Sequence, residues 1–218
     1  MVTRRNFVGG WWVLLLALGC GRHLGAQELV DRIVARVEND IILMSDLQEL
    51  RQYQEFLDGH AESDSVLLDR LIDQWVVRSE AELSRFPAPK DQDIDRGFGR
   101  VQKSFGSAEE FDRRKEESGL SDAEIRKMVA GQLYLSNYLD SRFRPSAQID
   151  DNAVTQFYRD AVVPRAKARG QEPPTLEASR DIIQEALIQK DINEQADRWL
   201  RESRSRLHVE KYLSESAK

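Results

Sequence analysis

Between residues 67 and 83 the chain sets Leu67, Leu68, Leu71, Ile72, Trp75, Val76 and Leu83 three and four residues apart. That period gathers the apolar side chains on one stripe of an α-helix, and a strand cannot satisfy it. The stripe has to be covered, so the chain must supply further helices with matching faces. Ile94, Phe98, Val101 and Phe105 provide one, although Gly97 and Gly99 lower the helix propensity there. Met128, Leu133, Leu135, Tyr138 and Leu139 provide another. A long stretch, 176–204, carries Ile183, Leu187, Ile192, Ala196, Trp199 and Leu200 toward one side.

The ends of these helices are written in local chemistry. Ser45 with Gln48, Ser107 with Glu110, and Ser121 with Glu124 read as capping boxes, in which each side chain satisfies an orphaned backbone N–H of the other residue. They predict helices running from 45 to about 57, from 107 to Gly119, and from 121 to about 143 ahead of Pro145. Ser63 or Ser65 opens the first stripe, which Pro87 and Pro89 close. Asp150 and Asp151 cap a further helix holding Val154, Phe157, Tyr158 and Val162.

Two short segments break the helical period. Residues 29–37 alternate in part, with Ile33, Ala35 and Val37 on one side and Arg32, Val34 and Arg36 on the other. Asn39-Asp40 then makes a turn and Ile41, Ile42, Leu43 and Met44 a second apolar run, together a hairpin. Residues 207–213 alternate briefly and predict a last strand. Residues 164–175 hold three Pro and Gly170 with no apolar stripe, which reads as a linker. The fold class expected is mainly α, with several helices and a small β-hairpin.

Residues 1–26 read as an export signal. Arg4 and Arg5 precede an apolar run over 10–19, well short of the ~20 residues that span a bilayer. Ala26 offers a cleavage point. Thr3-Arg4-Arg5-Asn6-Phe7-Val8 fits a twin-arginine signal, and an ordinary secretory signal fits equally. Cys20 loosely matches a lipoprotein box; otherwise it leaves with the signal. It is the only Cys in the sequence, so a cut after Ala26 leaves a chain with no thiol to mispair in an oxidising compartment. No transmembrane segment is expected in the exported chain.

With 38 acidic against 32 basic residues the formal charge is −6, which argues against a nucleic-acid partner. His23, His60 and His208 never stand four apart on a helix, so no metal-ligand pair is formed in the sequence. Gly97-Phe98-Gly99 lacks the third Gly and the strand-to-helix setting of a phosphate loop. No nucleophile-elbow motif is present. The residues therefore predict no catalytic group, no cofactor and no metal.

The order of parts carries a resemblance. Val37-Glu38-Asn39-Asp40-Ile41-Ile42-Leu43 leads into Ser45-Asp46-Leu47, then come the helical stripes, then the junction from Arg144-Pro145 to Asp151. Over 29–162, and again over 176–213, this resembles the SurA N-terminal domain family of periplasmic chaperones. The family's parvulin-type prolyl-isomerase domains would fall at 164–175, and a domain of that kind needs on the order of a hundred residues. The resemblance implies a signal peptide over 1–26 and a chaperone domain over 27–163. A linker over 164–175 would stand in place of the isomerase, and the helix and strand of 176–218 would pack back onto the chaperone domain. The terminal strand would join the hairpin sheet, and Trp199 would anchor the core.

The function implied is ATP-independent holding of unfolded outer-membrane polypeptides in the periplasm. Two alternatives stand beside it: an isomerase-family protein with residual or lost isomerase activity, and a non-catalytic envelope adaptor or scaffold. Pairing into a homodimer is left open. Phe98, Phe105, Phe111, Tyr134, Tyr138 and Phe143 are candidate client-binding residues, because aromatics dominate binding surfaces; their alternative is to be core.

Overall fold

The computed structural model describes residues 31–213 of the 218. The expected export signal, with Arg4, Arg5 and Cys20, lies outside the described residues. What is described is mainly α with a three-stranded antiparallel sheet, in the order β2-β1-β3. Strand β1 is Ile33–Val37, β2 is Asp40–Leu43 and β3 is Val209–Lys211.

The partial alternation of β1 has a structural cause. Ile33 pairs with Leu43 but Ala35 already pairs with Ile42, so two steps on β1 oppose one on β2. This bulge turns Val34 and Ala35 both inward, each fully buried, and leaves Ile33 at 39% exposure. Past it the pairing is regular, from Ala35 to Val37.

Glu38, in the hairpin turn, has φ of 53°, a left-handed conformation that costs a residue with a Cβ. Two hydrogen bonds hold it there. The Glu38 N–H donates to the His208 carbonyl at 2.9 Å, and the His208 N–H donates to Glu38 Oε1 at 2.7 Å.

Helix α1 is Met44–Asp58. The sequence places its cap at Ser45; the structure places it at Leu43, whose N–H donates to the Asp46 carboxylate at 2.8 Å. The Ser45 N–H is taken by Asp31 instead, at 3.2 Å, so the Ser45–Gln48 box does not form. Helix α2 is Asp64–Leu83, starting after Ser63; α3 is Asp91–Ser104; α4 is Ala108–Ser118. Ser107 caps α4 by accepting from the Glu110 N–H at 3.2 Å, but the Glu110 side chain turns to Arg113 rather than back to Ser107. Helix α5 is Asp122–Phe143, and its Ser121–Glu124 box is complete in both directions.

Pro145 ends α5 in a 3-10 turn, Arg144–Ser146. Asp150 then caps α6, Asp151–Phe157, accepting from the Ala153 N–H at 2.7 Å. The expected linker begins later than its composition suggests. A π-helical turn, Tyr158–Val162, carries α6 into α7, Val163–Ala168. Pro164 explains the wide turn. It has no N–H to donate, and its ring crowds the carbonyl four residues back, so the helix opens there and the Val163 N–H reaches Tyr158 instead. Helix α8, Leu176–Arg204, is 29 residues and therefore about 44 Å long.

Among the described residues three apolar clusters form the interior. The inner sheet face packs on Leu47 and Leu50 of α1 and on Leu67, Leu68 and Ile72 of α2. Tyr53, Phe56, Phe98, Phe111, Ile125 and Val129 join α1, α3, α4 and α5. Val77, Ala81 and Tyr138 join α2 to α5, with Trp199 and Leu200 of α8 laid against them.

Ion pairs fasten α8 at three places among the described residues; near its start Arg180 pairs with Asp151 of α6 at 2.6 Å. Arg144 bridges Asp140 and Glu185, each at 2.8 Å, and with Gln189 draws the Glu185 carboxyl down to about 2. Near the end of α8, Arg204 pairs with Asp69 and, at 3.1 Å, with Asp73 of α2; Lys211 of β3 reaches Asp69 at 2.8 Å. Burial works to raise the Asp69 carboxyl, but the hydrogen bonds from Lys211 and Arg204 outweigh it and hold it below its usual range. Burial pushes the neighbouring Asp73 up, against the pull of Arg204.

A lowered carboxyl contributes stability that is fully present above its unfolded value and fades as pH falls through the folded one. Asp69→Asn should therefore lower stability at pH 7 by about 1 kcal/mol, a figure kept small because the pairs are partly solvated. The gap from the parent should begin to narrow below about pH 4, the ordinary Asp value, and close only below the lowered folded value, where both chains carry a neutral group. Thermal unfolding at pH 7 and pH 3 reads this directly.

Candidate functional site

The first turn of α1 and the end of β2, the middle of α2 and the middle of α5 do not close on one another. They leave a groove of about 400 Å³. Its walls are Ile41 and Ile42 of β2, Leu50 of α1, Leu71 and Trp75 of α2, and Met128 and Leu135 of α5.

The gap exists because α5 carries Gly131 at this level. A Cβ there would meet no heavy atom within 4 Å, so the missing side chain is open space rather than a tight contact. Ile41 and Ile42 are adjacent in a strand, so their side chains leave on opposite faces. Ile42 goes to the core at 6% exposure, and Ile41 stays 47% exposed.

Polar groups frame the opening. The Trp75 Nε1–H donates to Asp40 Oδ2 at 2.9 Å, which fixes the indole against the hairpin. Lys127 of α5 reaches Glu49 of α1 at 2.8 Å across one end. The Tyr53 hydroxyl donates to Gln132 Oε1 at 3.4 Å, and burial pushes that phenol up. The charged lining residues are Asp46, Glu49, Arg78 and Lys127, two of each sign.

Among the described residues no Ser, Thr, Cys or His lines this groove, so none of them brings a hydroxyl or thiol nucleophile or an imidazole base to it. It offers an indole face, aliphatic walls and the pliant thioether of Met128, which suit reversible contact with apolar side chains of varied shape. A second hollow is lined by Glu55, Gly59, His60, Arg113, Arg114, Glu117 and Ser118. There Arg114 donates to the Glu55 and Phe56 carbonyls at 3.3 and 3.5 Å, closing the end of α1 as a structural cap. Among the described residues no three His, Cys, Asp or Glu are grouped to hold a metal, and no helix is long and apolar enough to cross a membrane.

The six candidate aromatics lie elsewhere. Phe98, Phe111 and Tyr138 are 5%, 3% and 5% exposed, and pack inside the fold. Phe105 is half-buried against Phe56, ring centroids 4.8 Å apart. Tyr134 leans on Phe86, and Phe143 on Trp199. Trp199 is itself half-buried under Arg142, so it covers the α5–α8 seam rather than anchoring the interior.

The groove residues escaped the sequence reading because Trp75 shares the stripe of the core leucines. Two signals pointed to it: the Ile41-Ile42 pair, which must send one side chain outward, and a Gly inside the strongest part of α5.

The geometry defines a class: a helix-rich fold with a small sheet and, among the described residues, an open apolar groove beside it. The chain is SurA-like. It is 25% identical to Chaperone SurA of Hahella chejuensis over 164 residues, 71% of this chain and 37% of that one. It is 28% identical to Chaperone SurA of Pseudomonas aeruginosa over 138 residues, 59% of this chain and 33% of the other. The chain thus spans about a third of the length of the curated relatives it matches. No family model matches it.

Proposed function

We propose that this chain is an ATP-independent periplasmic holdase. On this reading residues 1–26 export it, and it shields unfolded outer-membrane polypeptides until they fold. The observation that carries the reading is the groove between β2, α1, α2 and α5. It is open and apolar, and its charges balance. Unfolded barrel precursors present apolar and aromatic side chains that such a surface covers weakly and reversibly. The likeness to proteins named Chaperone SurA supports the same role. Residues 164–175 hold α7 and a brief connection up to Thr175, too little chain for an isomerase core, so the work proposed is binding alone.

Gly131→Leu tests this with stability and function pulling in opposite directions. The fold has room for the side chain, and replacing a mid-helix Gly gains up to about 1 kcal/mol. The new isobutyl group fills the groove. The purified parent should slow aggregation of a diluted, denatured outer-membrane protein at modest molar excess. Gly131→Leu should melt no lower than the parent and protect far less. No protection by the parent at any ratio sinks the reading, and acceleration of a proline-peptide assay well above background would move the chain to the enzyme class.

A further inference from the structure

Strand β2 is an edge of the sheet, and its free edge lies on the groove. The direction of each backbone group follows from the bonds to β3. The Tyr212 N–H donates to the Val34 carbonyl at 2.9 Å, and the Glu38 N–H to the His208 carbonyl. Val34, Arg36 and Glu38 therefore face β3, and Ala35 and Val37 face β2. Arg36 is the partner of Ile41 in the register. Since Arg36 turns its backbone to β3, the Ile41 N–H and C=O point away from β1, out of the free edge of the sheet, and Ile41 itself lines the groove. Neither makes a bond outside the strand ladder among the described residues. The next outward N–H, that of Leu43, is stopped by Asp46, so the free edge is confined to Ile41.

An open donor and acceptor on an edge strand specify the shape of an occupant, since only an extended backbone meets both at once. The walls specify its side chains: every second residue of such a strand faces Trp75 and the space over Gly131. The charge specifies the rest. Asp46 and Glu49 against Arg78 and Lys127 leave this surface neutral on a chain of formal charge −6, which suits an uncharged segment.

We infer that the groove takes an extended stretch of unfolded polypeptide as an added strand on β2. The stretch alternates aromatic or aliphatic with small polar residues, and its backbone is hydrogen-bonded to Ile41. This rests on the holdase reading and deepens it: recognition is of strand conformation and alternation, not of a sequence.

The test is anisotropy of a labelled short peptide alternating Phe with Ser, titrated with the full chain. The same peptide carrying a methyl on every backbone nitrogen keeps its side chains and loses its donors. It should bind about tenfold more weakly, the scale of one or two net hydrogen bonds. Ile41→Pro removes the outward N–H without touching the ladder to β1, a position where an edge strand accepts Pro. It should weaken the unmethylated peptide about tenfold, while Ile41→Val leaves it unchanged. If Ile41→Pro fails to fold, the two peptides on the parent chain decide alone. Equal binding of both peptides, with Gly131→Leu abolishing both, overturns strand addition and leaves the holdase reading standing. Absence of binding by either peptide, with Gly131→Leu protecting as well as the parent in the aggregation assay, overturns both.

Discussion

Phe111→Ala is expected to cost about 4 kcal/mol, the range of a large aromatic removed from a packed interior. Phe111 is the hub of its cluster, with ring centroids 5.6 Å from Phe56, 5.9 Å from Phe98 and 5.6 Å from Phe105, all edge-on. It is also the main apolar side chain of α4, a helix in which every residue from Glu109 to Glu117 other than Phe111 is charged. Its truncation both opens a cavity and releases α4 from α1. Urea unfolding should show the midpoint falling. In the aggregation assay, well below the melting temperature, protection should be unchanged, because the ring lies outside the groove. Loss of protection without loss of stability would instead make Phe111 a client contact.

Gly97→Val is expected to cost about 3 kcal/mol, through overpacking rather than loss of contact. A Cβ at 97 would sit 2.6 Å from Val129 Cγ1, inside any real contact distance. Val129 is 4% exposed and β-branched on a helix, so it has one rotamer and nowhere to turn. Helices α3 and α5 must separate to admit the side chain. Even Gly97→Ala should destabilise, despite a helix-propensity gain of up to about 1 kcal/mol. Gly99→Ala is the control: nothing lies within 4 Å of its Cβ, so it should keep that gain. Thermal unfolding of the three variants separates propensity from packing.

Those two glycines show where the sequence is legible and where it stops. Both lower the helix propensity of 91–104 equally, yet only Gly97 is a contact, and that depends on Val129, far along the chain. Local chemistry reads well: Ser121 with Glu124, Asp150 with Ala153, and the ends of α8 are all fixed within a few residues of themselves. Ser45 fails because Asp31 takes its N–H, while Asp46 takes that of Leu43 and moves the cap there. The alternation of β1 blurs because a bulge turns Val34 and Ala35 the same way.

The groove was legible least. Stripe periodicity tells which side of a helix is apolar, but not which part of that side finds a partner. Trp75 and Leu71 stand in one stripe with Ile72 and pack against its cluster, yet the open space at Gly131 leaves them only half-buried. The aromatics follow the same rule: Phe98, Phe111 and Tyr138 turn inward because helices from distant parts of the sequence meet there.

The grip of Glu38 on His208 joins residues 170 apart. During synthesis the hairpin is finished early, whereas its third strand arrives only after the whole of α8 has been made. Throughout that interval the β1 flank is an unsealed template, and Glu38 has no counterpart to relieve its backbone. The sheet is then completed as a zipper closed by a segment 170 residues further on. A ribosome stalled within α8 would release a nearly complete helical body that still offers a sticky strand to its neighbours.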